Sequence, residues 1–93
     1  MIGTSDTQTG VLGFSGSEPN QLAPDPLPLT GVYGLATGTG SRGGVFGGKA
    51  AQVRLQPSGA ATHPTSGDAG DLFVDKSHRL WFCKGGTTWK QLA

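Results

Sequence analysis

Asp71-Leu-Phe-Val-Asp75, Arg79-Leu-Trp-Phe-Cys83 and Thr87-Thr-Trp-Lys-Gln-Leu92 are short aliphatic, aromatic and β-branched runs, separated by Lys76-Ser-His78 and Lys84-Gly-Gly86. Runs of this length and composition, divided by turn residues, predict a three-stranded antiparallel meander. A three-residue loop at Lys76 to His78 sets Asp75 opposite Arg79, Val74 opposite Leu80, Phe73 opposite Trp81 and Leu72 opposite Phe82, so each face matches like with like. One face is then Leu72, Val74, Leu80 and Phe82. The last residue of such a loop is left-handed, normally Gly, and His78 is among the few other residue types that visit this conformation. Gly85 and Gly86 supply the positive φ of a two-residue turn, which sets Phe82 opposite Trp89 and Trp81 opposite Lys90 in cation–π range.

Upstream of this meander, residues 49–66 hold the one helix candidate, Lys49 to Gln56, stopped by Pro57. Eight residues are too few for a helix to stand unaided. The alternation Val53-Arg54-Leu55-Gln56 favours a half-buried strand instead. Further upstream, Gly-Val-large apolar-Gly occurs three times, as Gly10-Val-Leu-Gly13, Gly31-Val-Tyr-Gly34 and Gly44-Val-Phe-Gly47. Their unequal spacing does not support a solenoid of fixed rung length. Four prolines between Glu18 and Leu29 predict an extended strap over 18–29. The chain therefore divides into a Gly-rich segment, 1–48, and a β tip, 49–93.

Composition decides between a self-sufficient core and a shared one. Of 93 residues, 17 are Gly and 6 Pro, and only 19 are Leu, Ile, Val or Phe. That leaves little for a monomeric core, yet the net charge of +1 is too small to keep a disordered chain expanded. The chain is expected to complete its core with other copies of itself. One cysteine excludes an internal disulfide and a cysteine-based zinc site. Residues 1–41 carry three acids and no base, and 42–93 seven bases and three acids, a split too mild to argue for nucleic acid. No apolar run reaches the length of a membrane span, and Met1 to Gly10 lacks signal-peptide features, so the chain reads as soluble, unprocessed and not membrane-inserted.

Enzymatic motifs are weak. Gly38-Thr-Gly-Ser-Arg-Gly43 fits the dinucleotide fingerprint, but no helix is predicted after it and no acid lies between Asp25 and Asp68 to hold a ribose. Gly43 to Lys49 imitates a phosphate-binding loop, with Ala50 where Ser or Thr would hold magnesium. Ser15 grazes a nucleophile elbow without the strand–turn–helix context. His63 and His78 have no neighbouring ligand, so loop and turn roles outweigh a metal shared across a symmetry axis. Cys83 reads as a small buried hydrophobe. No catalytic residue, metal or cofactor is predicted.

Gly31-Val-Tyr-Gly34, Gly43-Gly-Val-Phe-Gly-Gly48, His63-Pro-Thr-Ser-Gly67 and the ending from Gly70 to Leu92 together resemble the C-terminal region of tail-fibre-like proteins of actinobacterial phages and prophages. The likeness covers about two thirds of the chain. Relative to that family the repeat region is short and interrupted by prolines, and His78 stands where relatives tend to have Gly. The resemblance implies an all-β, intertwined homotrimeric fibre module in a virion tail fibre or similar extracellular particle, cytoplasmic before assembly. It also implies multivalent attachment to a cell-surface glycan or protein receptor, with a purely structural trimerisation domain as the alternative. In such a trimer Val11, Val32, Tyr33, Val45, Phe46, Val53, Leu55, Leu72, Val74, Leu80 and Phe82 are the expected shared core. The aromatics Phe73, Trp81 and Trp89 are either further core, which is favoured because contiguous aromatic surface is usually covered, or a platform for sugar rings.

Overall fold

The structure is a computed structural model and describes residues 11–16 and 29–93. The proline-rich strap expected over 18–29 lies outside the described residues except for Leu29. The chain divides into two compact units, Met1–Phe46 and Gly47–Ala93. The described elements are all strands: β1 (Val11–Ser15), β2 (Val32–Ala36), β3 (Leu72–Val74), β4 (Leu80–Gly85) and β5 (Thr88–Gln91).

In the first unit β1 and β2 pair in parallel, with Val11 beside Val32, Leu12 beside Tyr33 and Gly13 beside Gly34. The first two copies of the Gly-Val motif thus lie side by side in register. Bonds from the Val11 amide to the Gly31 carbonyl (2.7 Å) and from Thr37 to Ser15 (3.0 Å) close the ladder at its two ends. Gly34 is required where it stands, because a Cβ there would run into the Gly43 carbonyl oxygen. The third copy forms no strand. It has Gly48 where the first two copies carry Phe14 and Leu35, and so lacks a side chain to pack at that position.

In the second unit β3, β4 and β5 form the antiparallel meander. Its first hairpin pairs Leu72 with Phe82, Phe73 with Trp81 and Val74 with Leu80. His78, at the end of the loop, has φ 66°. The second hairpin differs from the sequence expectation by one residue. Trp81 faces Gln91, Phe82 faces Lys90 and Cys83 faces Trp89, with a bulge between Cys83 and Gly85. The turn is Gly86-Thr87 rather than Gly85-Gly86, since Gly85 pairs with Thr88. A bulge absorbs one extra residue, and the shift puts the wholly buried Cys83 on the same face as Trp89. The expected Trp81–Lys90 pair does not form.

Residues 53–56 are not a strand either; 49–66 holds no regular element. A strand needs a ladder partner, and the outer edge of β3 is taken by residues further along. Ser58 donates to the Val74 carbonyl (2.8 Å) and Lys76 to the Ala60 carbonyl (2.9 Å). Val53 and Leu55 are left exposed. No helix among the described residues is long and apolar enough to cross a membrane.

Candidate functional site

Alternation along β3 puts Asp75 on the same face as Phe73, at the point where the strand enters its hairpin loop. A carboxylate there must be paired or protonated. Asp75 is paired four times: its Oδ1 accepts from the backbone amides of Ser77 (2.9 Å) and Arg79 (3.1 Å), and its Oδ2 from Arg79 Nε (2.7 Å) and Trp81 Nε1 (2.9 Å). The carboxylate is fully buried. Burial opposes the charge, but the Trp81 indole, the Arg79 amide and guanidinium and the Ser77 amide outweigh it and hold the pKa at about 2, below the ordinary 3.8. With its lone pairs engaged and its pKa so low, Asp75 is no proton acceptor near neutral pH.

From this node a chain of contacts runs across the sheet. Arg79 holds Asp75 through Nε, donates from Nη2 to the Ala61 carbonyl (2.7 Å), and lies 5.4 Å from the Trp81 ring centroid. The cation on Trp81 is therefore Arg79, not Lys90. The segment that Arg79 grips carries His63 onto the aromatic face. His63 meets Trp81 edge-on at 4.6 Å and stacks on Trp89 at 5.1 Å, with 16° between the planes. Its Nδ1 lies 2.6 Å from the Pro64 carbonyl oxygen, which can only accept, so Nδ1 carries a proton. Phe73 completes the cluster edge-on to Trp89 at 6.4 Å. Gly67 bridges to Gly86, and a Cβ on Gly67 would come within 2.7 Å of Trp89 Cζ2.

Phe73, Trp81 and Trp89 are brought together, but the chain's own His63 lies against Trp81 and Trp89, so the Trp89 face that stacks on His63 is not a free platform. Val11, Tyr33, Val74, Leu80 and Phe82 are half-buried. Val32, Val45 and Phe46 are 72, 82 and 66% exposed, and Leu72, Val53 and Leu55 are exposed as well. The glycine motif at 38–43 closes a turn, with Ser41 donating to the Gly38 carbonyl (3.0 Å) and Gly40 at φ 77°, and no helix follows. Asp71 Oδ2 accepts from the Asp68 amide at 2.9 Å and so caps its own loop. Cys83 is buried, its sulfur accepting from the Gly85 amide at 3.4 Å. Among the described residues no three His, Cys, Asp or Glu gather as a metal site.

No family model, curated protein or solved structure matches the chain. Sequence reasoning missed the Asp75 node and the clamp made by His63. The first was signalled by an Asp two residues before Ser77, the spacing of a side chain that caps its own turn. Nothing local signals the second, since His63 reaches its partners only once the 58–67 segment has folded back.

Proposed function

We propose that this chain is a non-catalytic β-rich assembly module, the homotrimeric end-piece of a tail-fibre-like protein. The observation that carries the reading is the exposure of Val32, Val45 and Phe46, the apolar positions of a motif the chain repeats. Among the described residues Cys83 is the one buried hydrophobe, while Leu29, Val53, Leu55, Leu72 and Leu92 are also exposed. A lone chain gains little from residues left in water, whereas apolar surface of this extent is normally covered by a partner. Identical copies are the simplest partner, and closed symmetry lets each contact be made once per chain. The number three, and the place in a fibre of a phage or prophage particle, come from the family resemblance.

The occupation of Trp81 and Trp89 by His63 favours assembly over receptor contact as the role of the tip. Attachment to a cell-surface glycan or protein is then carried by other surfaces, each weak alone and strengthened by threefold avidity. Light scattering tests the reading directly. The expected mass is about 28 kDa, three times the 9.5 kDa chain. A folded monomer at micromolar concentration sinks it.

A further inference from the structure

The first two Gly-Val copies pair in register, valine beside valine and glycine beside glycine, whereas the third, Gly44-Val-Phe-Gly47, pairs with no strand among the described residues. A two-stranded parallel ladder is a marginal structure, because parallel sheets are stable when extended and covered on both faces. Val32 on the ladder and Val45 in the third copy are both largely exposed. We infer that the third copy of one chain adds as a short parallel strand to β2 of another chain, Val45 beside Val32, Phe46 beside Tyr33 and Gly47 beside Gly34.

Two observations support this pairing over others, and its symmetry permits closure. The motif already recognises itself in this register within the chain, so the same valine-beside-valine and glycine-beside-glycine match is available between chains. Charge distinguishes unlike from like contacts: Arg42 and Lys49 flank the third copy, while the 41 residues that contain the first two copies hold Asp6, Glu18 and Asp25 and no base. Third copy against third copy would bring like charges together, whereas residues 29–41, which carry β2, hold no charge to repel it. Finally, the contact is head-to-tail, so it uses a different surface on each partner and closes when the rotation returns to the first chain. The inference rests on the reading of the chain as a self-assembling module.

The test mixes two full-length variants, Val32→Cys and Val45→Cys, refolds them together, and treats them with a short bis-maleimide. The native Cys83 is buried and wild-type protein serves as the control. Covalent dimers joining one chain of each kind are expected, with at least tenfold fewer from either variant alone. Val45→Cys cross-linking to itself as readily as to Val32→Cys overturns the pairing. So does an absence of cross-links in a mixture that light scattering finds assembled, and the assembly reading then survives. A monomeric wild type overturns both. Val45→Lys, which sets a charge where a valine is to be buried, is expected to weaken assembly by about tenfold or more, and assembly unchanged by it overturns the inference.

Discussion

Trp81 Nε1 donates to Asp75 Oδ2 at 2.9 Å, so a wholly buried carboxylate fixes the indole against which His63 rests edge-on. The same oxygen takes the Arg79 guanidinium, and Arg79 in turn holds the Ala61 carbonyl two residues before His63. The hairpin loop and the segment that covers the aromatic face are thereby joined through one charged group.

This joint makes stability depend on acid. The folded pKa of Asp75 is about 2 against an ordinary 3.8, so its charge-linked stabilisation is present above pH 3.8 and lost as pH falls through about 2. The melting temperature of wild type is expected to drop across that window. Asp75→Asn removes the charge and turns an amide donor toward Arg79 or Trp81; it should melt lower at neutral pH and lose its share of the acid dependence. An Asn variant with the wild-type melting temperature and acid profile would refute the role given to Asp75.

His63→Ala removes a ring that touches both tryptophans and should destabilise the second unit by about 1 kcal/mol. His63→Phe keeps a ring but loses the bond to Pro64, and is expected to fall between the two. Urea denaturation followed by tryptophan fluorescence measures the order, and equality of Ala with wild type would show that the stack contributes nothing.

At the loop, His78 has φ 66°, a conformation that costs most for β-branched residues. The expected order of stability is His78→Gly first, then wild type, then His78→Val, with steps of about 1 kcal/mol. Part of the gain from Gly is offset by the freedom it gives the unfolded chain. Val as stable as His would contradict this order.

Two glycines of the segment between 58 and 71 give opposite expectations. Gly67→Ala brings a Cβ within 2.7 Å of the Trp89 ring, a rigid neighbour, and should cost about 1–3 kcal/mol. Gly59→Ala meets nothing within 4 Å and has no positive φ, so it should be tolerated. The pair, compared by thermal melting, tests the seating of Trp89 against an internal control.

The first hairpin was legible because loop length and side-chain matching agree: a three-residue loop pairs Val74 with Leu80 and Leu72 with Phe82, and no other register does so. The second was not, because adjacent glycines at 85 and 86 satisfy a turn at either of two positions, and the choice is made by burial of Cys83 opposite Trp89, a tertiary effect. Val53 to Gln56 has the alternation of a strand, yet alternation supplies no partner, and Ser58 to Ala60 occupy the available edge. The glycine motif was visible as a repeat, but its uneven spacing hid the parallel pairing of the first two copies. The carboxylate at the centre of the cluster runs against the expectation that acids stay in water; only the donors converging from Ser77, Arg79 and Trp81 explain it.

Burial of the chain's one thiol turns the second unit into its own stopwatch. Cys83 sits in the middle strand, closed from solvent, and a thiol-specific dye reaches it only when the strands around it part. The labelling rate of unmodified protein therefore reads the frequency of that opening, and its dependence on dye concentration separates an opening equilibrium from a rate-limited one. The kinetics of the tip can thus be followed without altering a single residue.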